Sequence, residues 1–433
     1  MKLQLTLNKT IFFLFFVLFV NSKNFASSSI SSENEKYLFE STSIFKSLNI
    51  SSGGKAESLG RAVSALCDDV SFFEYNPAVS SQIENTEIQI LHNRDIEGAS
   101  LETLNATFRK KNTGFGFQLK YFYLPFSEYN STKKIIASNL YSETLLNFNL
   151  SHTFLKGYDF KGISLGFNIK GILRNVGDFT NETTKLLIKD SGLHNSAFGL
   201  MTDFGLFMKF NFLKFFKSTE ENCAFGFTIN NFGFALNDLT QNVKVSSALP
   251  LRISSSVSMR LFKPLLFTFE FTQPINLTSI LSSEKFTFGS GIDLSLTKFL
   301  SFQGGIYFSN QKPIFSFGSE FDLNGLKINL AYTLDSKNTT INPLSKISLS
   351  AKMILGDNGR KEIQEEVQLN YVEGLSFYSK GTKEDILTAI SKWEKAIELS
   401  SSIGIKFDPA IKAVNTAKSL LEAHEKINSV LDQ

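Results

Sequence analysis

The sequence predicts an all-β transmembrane barrel of about 14 antiparallel strands, with an N-terminal plug in its lumen and a small α-helical C-terminal tail on the periplasmic side. Three observations predict it. The N-terminus carries an export signal that is too short to be a membrane helix. A long middle region alternates apolar and polar residues, strand after strand. The connections between those strands are alternately short and long.

The export signal comes first. Lys2 and Lys9 flank the start of an apolar run from Ile11 to Val20. A run of about ten residues cannot span a bilayer as a helix but has the length of a signal-peptide core. Cleavage is expected after Ala26. Residues 1–26 are thus read as signal peptide, 27–85 as a hatch or plug segment, 86–356 as barrel and 357–433 as tail. The chain has 433 residues, 45 of them Phe and only 8 Pro. Lipid is the partner that an outward apolar surface requires, and it gives that much Phe a place. Net charge is +3, so no strong field points to nucleic acid. A mean hydropathy of -0.02 excludes a polytopic helical protein and leaves a barrel open, because barrel strands alternate. Cys67 and Cys223 lie far apart in sequence, which leaves open both a bridge and two separate buried thiols.

In the middle region, Ile163, Leu165, Phe167 and Ile169 alternate with Ser164, Gly166, Asn168 and Lys170. Successive strand side chains point to opposite faces, so one face is apolar and the other polar or tiny. Leu326, Ile328, Leu330, Tyr332 and Leu334 repeat the pattern against Lys327, Asn329, Ala331 and Thr333. Expected strands are 86–92, 101–110, 113–124, 141–154, 161–173, 198–212, 222–233, 250–262, 265–273, 285–297, 299–309, 314–323, 325–335 and 345–355. Every second connection is short, including Lys111-Asn112, Lys263-Pro264, Lys298 and the hairpin-favouring Asn324-Gly325. The intervening ones are mostly longer: Pro125 to Leu140, Asn175 to Ala197 and Phe234 to Leu249 among them. Outer-membrane barrels have short periplasmic turns and long outer loops, so an even strand count puts both ends of the chain on the periplasmic side.

The tail changes to helical spacing over about 359–379, 384–400 and 408–431. Gly374, Phe377 and Gly381, followed by Ala389, Trp393, Ala396 and Leu399, resemble a tetratricopeptide repeat, with about three extra residues between the helices. The resemblance implies a docking surface for a periplasmic protein, built around Tyr371, Phe377, Tyr378 and Trp393.

Ahead of the barrel, Gly60-Arg61-Ala62 leads through Asp68-Asp69 to Asn76-Pro77-Ala78. Pro77 fixes φ and lacks a donor, and Asn76 can satisfy neighbouring backbone, so the chain can turn there inside a lumen. Small residues, an Asp pair and Asn-Pro-Ala just before the first strand resemble the FadL-like superfamily. That group includes fatty-acid and aromatic-hydrocarbon channels, PorV-type secretion proteins and uncharacterised spirochaetal relatives. The resemblance implies a hatch formed by Gly60, Asp68, Asp69, Asn76, Pro77 and Ala78, and a hydrophobic small molecule that leaves sideways through the wall. The final strand departs from many barrels, ending Met353-Ile354-Leu355 without an aromatic residue.

No catalytic, metal or cofactor pattern appears. His92, His152, His194 and His424 lack metal-ligand spacing, and there is no phosphate loop and no nucleophile elbow. Asp68-Asp69 is read as a turn or cap. Three functions follow: a hydrophobic-compound channel such as one for long-chain fatty acids, which needs an apolar pocket beside the hatch; a PorV-like scaffold for other proteins; and an open porin, which the plug argues against.

Overall fold

The computed structural model describes residues 45–431, apart from 96–97, 157–161, 217–219, 241–243, 247–248, 277–285, 310–311, 336–345 and 357–358. The expected signal peptide and its cleavage after Ala26 lie outside the described residues.

The wall begins with β1 (Thr86–Asp95), β2 (Ser100–Lys110), β3 (Thr113–Tyr129), β4 (Ile135–Phe154), β5 (Ile163–Val176), β6 (Ala197–Phe210) and β7 (Cys223–Asn237). After a three-residue strand, β8 (Lys244–Ser246), it continues through β9 (Leu251–Phe262), β10 (Leu265–Ile275), β11 (Thr287–Ser295), β12 (Leu300–Ser309), β13 (Lys312–Asp322), β14 (Leu326–Asp335) and β15 (Lys346–Gly356). Neighbours pair antiparallel. β8 adds only to the outer end of β7, β7 also pairs with β9, and β1 with β15 completes the ring. The result is a closed barrel of 14 strands.

Alternation explains which way the wall faces. On β5, Leu165 and Ile169 are each 48% exposed, while Ser164 and Asn168 are fully buried. The apolar side faces out and the polar side faces in, the reverse of a soluble sheet. Outward Phe148, Phe204, Phe232 and Phe317 continue the same surface on other strands. Lipid is the solvent that such a surface suits.

One expected loop is wall instead. The sequence reading closed the third strand at residue 124 and took Pro125 to Leu140 as a loop. In the structure Pro125 sits opposite Leu140 in a ladder that runs on to Tyr129. β2 pairs with β3 only as far as Tyr123, so on that side β3 is an edge, where a missing donor costs nothing. The turn narrows to 130–134, with Asn130 Oδ1 accepting from Thr132 N and Lys134 N.

β1 starts and β15 stops at the same end of the barrel, Thr86 opposite Gly356. The short turns 111–112, 263–264 and 323–325 share that end. The longer connections 177–196, which holds the single-turn helix α2 (Ser191–His194), and 238–250 lie at the far end. The described part of the plug, which includes the short helix α1 (Gly54–Ser58), begins away from that end. Phe45 packs with Leu145, Ile172 and Met201 in the far half of the lumen. Both terminal segments were expected on one side. Thr86 and Gly356 do share one end of the barrel, and the described part of the plug runs from Phe45 in the far half of the lumen to Thr86.

The tail forms α3 (Arg360–Tyr378), α4 (Lys383–Ser402) and α5 (Asp408–Leu431). Thr382 caps α4 by accepting from Asp385 N at 3.1 Å. Two bonds tie the tail to the β2–β3 turn: Arg360 Nη1 donates to Lys111 O at 3.0 Å, and Asn112 Nδ2 donates to Gly404 O at 2.9 Å. No described helix is long and apolar enough to cross a membrane.

Candidate functional site

The plug fills the lumen because glycines in the wall let it approach. A Cβ on Gly114 of β3 would lie 2.2 Å from Ser80 C, and one on Gly166 of β5 2.2 Å from Pro77 C. On Gly205 of β6 it would lie 2.2 Å from Asn76 Oδ1. Such approaches are impossible for any larger residue. Around them, inward polar side chains satisfy the plug's backbone. Glu143 accepts from Ser47 N at 2.8 Å, Glu270 from Ser64 N at 3.0 Å, and Ser151 Oγ from Ser81 N at 2.7 Å. An irregular chain buried in a lumen needs such partners for its amides.

Ion pairs pin it further. Lys55, on α1, lies 2.7 Å from Asp68, 3.1 Å from Asp293 and 3.9 Å from Glu320. Lys352 of β15 meets Asp69 at 3.3 Å and Glu87 at 3.5 Å. Lys120 meets Glu74 at 2.7 Å, and Glu57 takes Lys346 and Ser348. Asp69 also caps the 3-10 turn Val70–Glu74, accepting from Ser71 N at 3.0 Å. Burial pushes its carboxyl upward, but Lys352 and the Ser71 donors outweigh that and hold it below the usual range.

The expected hatch residues therefore separate into distinct places. Asn76 caps the turn Pro77–Ser81 through Ala78 N, and its Nδ2 donates to Ser64 O at 2.7 Å and to Leu206 O on β6 at 3.0 Å. Pro77 and Ala78 are buried against β5 and β6. Asp69 is buried, whereas Asp68 keeps 44% of its side chain exposed. Gly60 lies against β11 and β12, where a Cβ would stand 2.7 Å from Ser290 O and 2.6 Å from Ile306 O.

Close to Asn76 the wall is irregular. Between β6 and β7 the register slips: Thr202 faces Phe232, and Phe204 faces Ile229. Asn231, in the bulge, has φ 64°, and its N–H donates to the Asp203 carboxylate at 2.7 Å in place of a ladder partner. Lys170 holds the same carboxylate at 2.6 Å.

A pocket beside the hatch is present, with a volume of about 50 Å³. The channel reading required an apolar pocket, and this one is polar: Arg61, Glu74, Asn230, Arg252 and Glu270 border it. Of these five, the sequence marks only Arg61, and that only as part of the Gly60-Arg61-Ala62 run. Arg252 stands in phase with Ser254, Ser256 and Ser258 on β9, so the inward alternation could have flagged it.

The tail residues expected to bind a partner are mostly turned inward. Trp393 is 1% exposed and donates to Tyr371 O at 3.1 Å. Tyr378 packs on its ring at 5.6 Å between centroids, and Tyr371 packs on Phe407 at 5.3 Å. Phe377 is half-buried against the same core. Gly374 makes room for the indole, since a Cβ there would lie 2.3 Å from Nε1. The exposed apolar residues of α3 are instead Leu369, Val372 and Leu375. Cys67 and Cys223 are free thiols.

A family model described as "Uncharacterised protein family (UPF0164)" matches residues 21–358, which include the plug and the barrel and stop short of α3. Two Treponema pallidum (strain Nichols) relatives, each described as a UPF0164 protein, are similar over most of the chain. One is 26% identical over 88% of this chain and 84% of its own, the other 25% identical over 88% and 76%. Among solved structures the chain is similar to the Pseudomonas putida toluene transporter TodX. That match has a TM-score of 0.46 and 11% identity, and covers 72% of this chain and 98% of that one. A Pseudomonas aeruginosa FadL homologue matches with a TM-score of 0.42 and 11% identity, over 70% and 98%. Likeness at that level says nothing of cargo. The match over plug and barrel together does establish the family: this chain belongs to UPF0164.

Proposed function

We propose that this outer-membrane barrel is a gated channel for hydrophobic small molecules, long-chain fatty acids among them, with Thr86, Gly356 and the helical tail on the periplasmic side. The observation that carries the reading is the position of the Asn76-Pro77-Ala78 turn. It sits against the inner wall next to the β6–β7 bulge, and Asn76 bonds directly to a β6 carbonyl. At the bulge the Asn231 N–H of β7 is held across the seam by the Asp203 carboxylate of β6 and not by a ladder carbonyl, so the regular ladder is interrupted there. The plug residues proposed to act as the hatch are Gly60, Asp68, Asp69, Asn76, Pro77 and Ala78. The 50 Å³ cavity is far below the roughly 300 Å³ of a drug-sized site, so cargo passes only once the plug shifts. The two longest connections, 177–196 and 238–250, at the far end and the tight turns 111–112, 263–264 and 323–325 at the tail end support the orientation.

The test is uptake of a fluorescent long-chain fatty acid into liposomes carrying the purified protein, with and without Asn76→Ala plus Pro77→Ala. Uptake that changes with the double variant supports the hatch. No uptake from a correctly folded barrel sinks the fatty-acid reading.

A second reading has its own observation. Leu369 and Val372 are each 58% exposed on α3 and lie beside Gln364, Glu365 and Gln368. A PorV-like scaffold would use this face of the tetratricopeptide-like tail for a periplasmic protein. Leu369→Ser with Val372→Ser would then abolish a stoichiometric complex while leaving uptake intact.

A further inference from the structure

The lumen treats its cations in two ways. Lys55, Lys120, Lys170, Lys346 and Lys352 each have a carboxylate partner. The two arginines that border the cavity above the hatch do not. Among the described residues, neither Arg61 nor Arg252 has a carboxylate within the 4.0 Å of an ion pair. Arg252 Nη2 donates to Leu48 O at 3.1 Å, and Arg61 lies 5.0 Å over the Tyr307 ring.

Arg61 is also held where an L residue rarely sits, at φ 61°, directly after Gly60 at the same angle. Left-handed backbone at a non-glycine residue is strained, and it persists only where its surroundings enforce it. Gly60 is locked against the β11 and β12 carbonyls, and that lock places the Arg61 side chain at the cavity.

Acceptors stand beside Arg252 as well, since Asn230 on β7 is its register partner on β9. Asn230 is 6% exposed and lines the cavity. Its Nδ2 donates to Tyr75 O at 2.9 Å, but its Oδ1 is buried and accepts no hydrogen bond. An unsatisfied buried acceptor carries a desolvation cost that a ligand donor would recover. Glu74 and Glu270 stand on the same cavity, and the hydroxyls of Ser254, Thr272 and Thr287 fill in its rim.

We infer that this cavity is a binding site for a small hydrophilic carboxylic acid with a donor group beside its carboxylate, that is, a hydroxy acid or an amino acid. Unpaired guanidiniums at Arg61 and Arg252 take the carboxylate, as planar donors do best. The Asn230 oxygen takes the hydroxyl or ammonium. At about 10–15 Å³ per water-sized centre, 50 Å³ holds about three to five waters, which a solute of lactate or glycine size would replace. A long alkyl chain has no room, and Leu48 and Ile50 give the lining only a smaller apolar share. The site is therefore separate from any path for hydrophobic cargo, and it stands whether or not fatty acids cross.

The experiment is calorimetric titration of the full-length protein, folded in detergent, with lactate, glycine and propionate. Propionate matches lactate in size but lacks the donor. Lactate or glycine is expected to bind one to one, with propionate at least tenfold weaker. Arg252→Gln should lower affinity at least tenfold. Tyr307→Phe keeps the ring under Arg61 and should leave the fold untouched, which heat-modifiable gel migration checks for both variants; it should weaken binding only a few-fold. No saturable binding of lactate or glycine up to about 10 mM, where the site would hold water only, overturns the inference. So does propionate binding as tightly as lactate, or a folded Arg252→Gln that binds like wild type.

Discussion

Replacing Lys55 by Met tests how the plug is held. The Lys55 ammonium lies among three carboxylates, and their fates differ once it is gone. Asp68 is 44% exposed and can turn to water. Glu320 keeps Lys327 at 3.6 Å. Asp293, with 7% of its side chain exposed, retains only Gln303 Nε2 at 3.5 Å. The substitution therefore strands one buried charge. Breaking a buried pair by removing one partner costs about 3–5 kcal/mol, and with a single stranded group we take the lower figure. At about 1.4 kcal/mol per tenfold, 3 kcal/mol raises the fraction of molecules with an unseated plug by roughly a hundredfold. Native-state hydrogen exchange of the amides from Ser64 to Ser71 reads that fraction directly. Exchange should accelerate by about two orders of magnitude in Lys55→Met and recover most of the way in Lys55→Met with Asp293→Asn, which removes the stranded charge. Protection within about threefold of wild type, or a double variant no better than the single one, would refute the electrostatic account of seating.

Gly166→Ala places a Cβ 2.2 Å from Pro77 C and should unseat the hatch turn, whereas Gly171→Ala on the same strand meets nothing within 4 Å; limited proteolysis of the plug should separate the two. Asp69 is held below its usual pKa, so its contribution to seating is complete above the unfolded value of about 3.9 and is lost as pH falls through the folded one. Plug protection should thus stay flat from neutral pH down to about 5 and decline below 4, and Asp69→Asn should flatten that decline. Trp393→Ala empties the centre of the tail core and should cost it about 3–5 kcal/mol, seen as rapid proteolysis of α3 to α5 with the barrel still heat-modifiable.

Much of this architecture could be read from residue order. Period-two alternation put strands within a few residues of their observed limits, because lipid outside and a polar lumen inside both enforce it. It failed at Pro125, where the rule against proline in a sheet gives way on a local edge. The helices of the tail followed from spacing, and the cap at Thr382 lies where the start of α4 needs it. Contacts between distant segments were not readable. The pairing of Lys55 with Asp293, the Asp203 patch on the bulge and the gathering of Arg61 with Arg252 depend on how the plug threads, and no local pattern reports that. The tail aromatics show the same limit. Spacing found Trp393 and Tyr371, but a conspicuous aromatic at helical spacing marks a core before it marks a surface.

The direction of the plug bears on how the barrel is made. Phe45 lies in the far half of the lumen, yet the plug ends at Thr86 on the tail side, so the chain already runs through the space that its strands will enclose. Several partners that neutralise it stand on the last third of the wall, at Asp293, Glu320, Lys346 and Lys352. Those strands have charged inner faces, and Asp293 and Lys346 find their ion-pair partners on the plug, while Glu320 and Lys352 share theirs between plug and wall. A barrel that closed empty would leave Asp293 and Lys346 without these partners, so the charges favour a sheet wound around the plug as a mandrel, with the β15–β1 seam shutting on a filled lumen.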